Sequence, residues 1–164
     1  MASGDTLLVF TAEGAGFPAT NPGTPDTRNN RLVLDFDAAT DETVYFLGIM
    51  PQHYAGTTGV TVHAHTMAST ATTGNFMFEV GFDNLVAQDA DSDGFAANNA
   101  SGAQATSGTS GIPSIDTITF TDGADMDSVA AGNLFRIRFM RDADNASDTM
   151  AGDLELIALE IRET

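Results

Sequence analysis

Asn75-Phe76-Met77-Phe78-Glu79-Val80-Gly81-Phe82-Asp83-Asn84-Leu85 carries the pattern that decides the fold. Phe76, Phe78, Val80 and Phe82 share one face, while Glu79 and Gly81 share the other. That period of two is what a β-strand with one buried and one wet face requires. Working outward, Asn133–Arg141 repeats it, with Phe135, Ile137 and Phe139 alternating with Leu134, Arg136, Arg138 and Met140. Further apolar or alternating runs lie at Thr6–Thr11, Arg31–Phe36, Thr43–Met50, Gly59–Ala68, Ser114–Thr121 and Asp153–Ile161. The last run differs, because Glu155, Ile157, Leu159 and Ile161 alternate with Leu154, Leu156 and Ala158, so both faces are largely apolar. A central strand covered on both sides is expected there, with a neighbouring subunit as one source of cover.

Between these runs the chain is dense in Gly, Asn, Asp, Ser, Thr and Pro, which reads as loops. Gly14–Asn30 holds Pro18, Pro22 and Pro25 and is expected to form a long loop or an extended arm reaching a neighbour. Ala100–Gly111 is a low-complexity loop, and Asp125–Gly132 has the acidic start and glycine stop of a single helical turn. Eight strands joined by long loops predict an all-β fold: an antiparallel two-sheet sandwich of the eight-stranded jelly-roll kind, with residues 1–164 as one domain.

Charge narrows the function classes. The chain has 23 acidic residues against 6 basic ones, a net charge of −17, and no lysine or cysteine. All the cations are arginines: Arg28, Arg31, Arg136, Arg138, Arg141 and Arg162. Phosphate backbones and anionic lipid surfaces would repel such a surface, so neither nucleic acid nor membrane is an expected partner. Without cysteine there is no disulfide framework, thiolate metal site or cysteine nucleophile. The opening Met-Ala-Ser-Gly-Asp lacks a secretory pattern and no stretch is long and apolar enough for a bilayer, so a soluble protein released by lysis or carried in a particle is expected. An aspartate-rich, lysine-free surface also suits a saline setting, where salt screens its self-repulsion.

Candidate chemistry is sparse. Asp89, Asp91 and Asp93 stand two apart before Gly94, as in the first half of a calcium loop, but Ala100 occupies the position of the closing bidentate glutamate. A solvated Asx-rich turn explains the same residues, so calcium is a possible cofactor there and no other is expected. Asp122–Asp127 and Arg141–Asp148 likewise read as turns first. His63 and His65 share a strand face and could ligate zinc, though no third ligand is obvious. No nucleophile elbow appears, and 23 acids let any carboxylate pair be nominated for glycoside hydrolysis, so the chain is read as a non-enzyme. Arg136 and Arg138 share one strand face and could grip a partner's carboxylate; cross-strand pairing with Glu79, Glu155 or Glu160 is the competing reading. With so few cations, most arginines should find an internal acid.

Four segments resemble small proteins encoded among the virion genes of tailed bacteriophages, often marine ones: Leu32–Asp37, Met50–Tyr54, Phe120–Arg136 and Arg141–Leu156. The resemblance spans about Leu32 to Thr164 and implies a virion structural protein of the capsid decoration or cement type. It further implies a homotrimer on the outer surface of the head, bound to the major capsid protein and stabilising the shell. No site residues carry over, because no motif in that likeness marks a site. The competing function is a tail or fibre jelly-roll module that binds host glycans with or without calcium.

Overall fold

The computed structural model describes residues 4–164 apart from 87, 90, 93 and 96. In chain order the strands are β1 (Thr6–Thr11), β2 (Ala15–Gly16), β3 (Thr24–Arg28), β4 (Arg31–Phe36), β5 (Glu42–Ile49), β6 (Val60–Ala68) and β7 (Asn75–Phe76). They continue with β8 (Phe78–Asn84), β9 (Ala97–Ala100), β10 (Gln104–Ala105), β11 (Ser114–Phe120), β12 (Leu134–Arg141) and β13 (Leu154–Glu163). Sheet A has the order β11-β6-β13-β4-β3, with β1 also on β13; sheet B has the order β2-β5-β12-β8-β9; β7 and β10 form a small ribbon. Pairing within both sheets is antiparallel, and the two pack into the jelly-roll sandwich that the alternation predicts. Among the described residues no helix is long and apolar enough to cross a membrane.

The core is where the alternation said it would be. Phe78, Val80 and Phe82 of β8 and Phe135, Ile137 and Phe139 of β12 are all fully buried. Their rings interlock with Phe36 and Phe120 from sheet A, with centroids 5.1 Å apart for Phe36–Phe139 and 4.9 Å for Phe82–Phe120, both edge to face. A charged pair, Arg141 and Asp148, is also buried. Arg141, at the end of β12, is fully buried and uses every donor it has. Its Nε and one terminal nitrogen donate to Asp148 at 3.0 Å each, and its terminal nitrogens also reach the carbonyls of Phe36, Gly152 and Met150 at 2.9–3.2 Å. That pairing pins the loop between β12 and β13 to the sandwich.

β13 corrects the sequence reading. Its register against β6 slips between Leu156 and Ala158, leaving Ile157 as an extra residue. This bulge reverses the alternation halfway along the strand. Leu154, Leu156, Leu159 and Ile161 therefore all enter the core, while Glu155, Ala158, Glu160 and Arg162 face out. The apparent two-sided hydrophobicity is one buried face read across a phase change, so no covering subunit is needed to explain it.

The stretch 14–30 lies against the sandwich. Ala15–Gly16 pairs with β5, Pro22 bridges Thr43, and Thr24–Arg28 forms the edge strand of sheet A. An edge strand needs hydrogen bonds on one side only, so it tolerates Pro25. β3 turns into β4 through Asn29 and Asn30, both left-handed at φ 48° and 64°, the two-residue turn whose twist suits a hairpin. Near the expected helical turn, only Ala124–Met126 is helical, as a 3₁₀ turn that buries Met126.

Candidate ligand-binding face

Sheet A turns its outer face to a cleft instead of to open solvent. Its register places Val33 and Arg31 of β4, Met67, His65 and His63 of β6, and Glu155, Ala158 and Glu160 of β13 on that face. Val33, Met67 and Glu155 are nevertheless buried. Two features account for the cover: the hairpin end carrying Arg28 and Arg31, and the segment before β11, where Gly111 N–H donates to the Ala68 carbonyl at 2.8 Å. Arg28 reaches over the sheet, its Nε donating to Glu155 at 2.5 Å and a terminal nitrogen to the Ser69 carbonyl at 3.1 Å.

The cleft has two basins. The larger, about 430 Å³, is lined by Val9, Arg31, His65, Pro113, Ile157, Ala158 and Glu160. The smaller, about 250 Å³, is lined by Arg28, Asn29, Arg31, Met67, Gly111 and Pro113. Arg31 and Pro113 belong to both, so they form the saddle between them. Val9, Ile157 and Ala158 give the larger basin an aliphatic floor. The bulge is what sets Ile157 and Ala158 side by side here, since a regular strand sends neighbours to opposite faces.

Charge on this face is organised by Glu160. Arg162 donates to it at 2.7 Å, the Thr6 hydroxyl donates to its other oxygen, and His65 Nε2 lies 3.6 Å away. The Arg162 hydrogen bond is the chief reason its carboxyl falls to about 2. His63, opposite Glu160 in register, has its pKa lowered first by burial and then by Arg162. At the other end, Asp35 and Glu155 are direct cross-strand neighbours on the same face. Burial, and then repulsion from Asp153, Glu155 and Asp26, raises Asp35 to about 6. One oxygen of Asp35 and one of Glu155 are buried without a hydrogen-bond partner.

Of the residues singled out in the sequence, the histidine pair lies on this face and the others lie elsewhere. Arg136 and Arg138 are on the outer face of sheet B and hold acids of their own chain: Arg136 Nε donates to Asp83 at 2.7 Å, and Arg138 donates to Glu79 at 3.1 Å. Both also lie over the ring of Phe95, which stacks on Tyr45 at a centroid distance of 5.5 Å. Asp89 accepts the Asp91 N–H at 3.0 Å in a local Asx turn, and Asp93 lies outside the described residues. Another set of carboxylates does converge, those of Asp41, Asp142 and Asp144, whose oxygens lie within 4.8 Å of one another. They are held within the protein: Asp144 N–H donates to Asp41 across two loops, and the Asn145 amide donates to Asp142 within its turn. None of the buried, unpaired polar atoms belongs to that group. The histidine pair gains Glu160 as a neighbour, yet these three are not among the ligand-like groups that converge within 4.8 Å in the described residues.

Sequence reasoning missed the cleft because its walls come from residues 9, 31, 65, 113 and 157–160, brought together only by the sheet order. The one local signal was the Asn29-Asn30 pair between Arg28 and Arg31, a hairpin dipeptide that sets both arginines on one face.

No protein-family model and no curated protein matches the chain. Solved structures do. A family 35 carbohydrate binding module from Clostridium thermocellum superposes with a TM-score of 0.57 at 10% identity, covering 94% of this chain and 98% of that one. The xylan-binding module CBM15 gives 0.55 at 10% identity, with 96% and 97% covered, and a family 35 module from an environmental isolate gives 0.54 at 11%, with 94% and 92% covered. What is shared is the fold. At such identity the likeness assigns no ligand, and it covers these modules over nearly their whole length.

Proposed function

We propose that the chain is a non-catalytic glycan-binding module whose ligand lies in the cleft on the outer face of sheet A. The observation that carries this reading is the cleft itself, an aliphatic floor of Val9, Ile157 and Ala158 with Arg31, His65 and Glu160 around it. Sugars present both kinds of surface, C–H faces that bury on apolar ground and hydroxyls that need fixed donors and acceptors. The fold shared with carbohydrate-binding modules supports it. Isothermal titration against a panel of soluble polysaccharides tests it, with Ala158→Glu as the comparison variant. Ala158 faces out of sheet A, so this change fills the floor without entering the core. Binding that Ala158→Glu removes at unchanged thermal stability supports the reading. Binding to no member of the panel, or binding indifferent to the substitution, refutes it.

A second reading keeps the decoration of a phage head by a trimer seated on the major capsid protein. Its support here is the far end of the outer face of sheet B, where Leu47, Ile49, Leu134 and Val86 are exposed. Light scattering and the copy number per purified particle test it. A monomer that no particle carries removes it.

A further inference from the structure

Five of the six arginines are paired with an acid of the chain: Arg28 with Glu155, Arg136 with Asp83, Arg138 with Glu79, Arg141 with Asp148 and Arg162 with Glu160. Arg31 is the exception among the described residues. In a chain with 23 acids that is an unusual state for a guanidinium, since carboxylates are the commonest charged neighbour available. Its position makes it more than a solvated hairpin residue. Arg31 sits directly across the hairpin from Arg28, on the same face, and Arg28 is already committed to Glu155 and the Ser69 carbonyl. It also stands on the saddle between the two basins, so it adjoins whatever crosses from one to the other.

Resting on the glycan-binding reading, we infer that the cleft selects sparsely carboxylated glycans, with one uronate seated on Arg31 and uncharged sugars on either side. The guanidinium presents two parallel N–H groups that match a carboxylate, and a charge-assisted pair of this kind is stronger than a neutral hydrogen bond. The flanking basins offer Val9, Ile157, Ala158 and Met67, ground suited to neutral rings. A densely charged polyuronate is disfavoured by the net charge of −17, which repels a polyanion along its whole length while Arg31 answers only one of its carboxylates.

Calorimetry with three probes tests this: a neutral oligosaccharide bearing a single glucuronate, the same compound after carboxyl reduction, and polygalacturonate. The wild-type chain is expected to prefer the first to the second by about 10- to 100-fold, the range for a hydrogen bond to a charged group. Arg31→Ala should erase that preference, lowering affinity for the acidic compound more than for its reduced form, and Arg31→Lys should recover part of it. Thermal stability of both variants should match wild type, since Arg31 makes no ion pair to lose. Equal affinity for the acidic and reduced compounds, or preference for polygalacturonate, overturns the inference but leaves glycan binding standing. Binding of none of these compounds or of the wider panel overturns both.

Discussion

Arg141→Met offers the sharpest test of how the sandwich is held together. The methionine matches the apolar stem but removes five hydrogen bonds, leaving Asp148 buried without a counter-charge, held only by the Met77 and Met150 N–H groups, and the carbonyls of Phe36, Met150 and Gly152 without this donor. Both partners are almost wholly removed from water, with side-chain exposures of 0% and 1%. Breaking a buried pair on one side costs about 3–5 kcal/mol, because the surviving charge keeps its desolvation penalty without compensation. For a chain of this size that corresponds to a fall in Tm of roughly 8–16 °C. Arg138→Met is the matched control. Its pair with Glu79 is partly exposed, at 19% and 26%, and such pairs contribute about 0–1 kcal/mol. Calorimetric unfolding of both variants, with the double variant Arg141→Met/Asp148→Leu, decides the matter. The double variant should be less destabilised than the sum of the two single changes, because removing both charges together leaves neither one buried alone. Equal Tm losses at positions 138 and 141 would refute the reasoning.

Four further outcomes follow from the geometry and the net charge. Asp35 is raised to about 6 from 3.8, so the folded chain takes up a proton before the unfolded one, and stability should climb as pH falls through 6 toward 4; Asp35→Asn should raise Tm at pH 7.5 and flatten that limb, and an unaltered profile would count against the burial argument. Glu160 works in the opposite sense, its lowered carboxyl giving stability that is present above about 4.5 and lost as pH falls toward 2. Gly48→Ala would place a Cβ 2.7 Å from Cζ of Phe10 and should cost about 1–3 kcal/mol by overpacking, measurable as a lower denaturation midpoint. Because the net charge is −17, Tm should rise from low to molar NaCl, and a salt-independent Tm would show that self-repulsion is already balanced within the fold.

The long strands were legible in the sequence because each runs for six or more residues with one face toward the core, and alternation records that directly. The short strands were not. Thr24–Arg28 and Ala97–Ala100 are edge strands rich in Thr, Pro, Asp and Asn, formed because a neighbour's backbone is available and not because their side chains demand it. The Asp83 partner of Arg136 follows from the same alternation carried one step further, since Glu79, Gly81 and Asp83 share a face opposite Met140, Arg138 and Arg136. The Asn29-Asn30 turn marked Arg31 only as sharing a face with Arg28. Only the finished ledger of ion pairs, and the order of strands that brings residues 31 and 113 together, distinguishes it from the other arginines.

The extra residue in β13 shapes the floor of the cleft without carrying the fold. Deleting Ile157 would restore a regular strand in which Leu154, Leu156, Leu159 and Ile161 still enter the core and Ala158 still faces out, so the floor can shed that apolar side chain while the register stands. The saddle is no more constrained. Arg31 ends a hairpin and Pro113 ends a loop, and neither is held by the interior. A lineage of such chains is free to reshape the cleft at its floor and at its saddle while the architecture stands still.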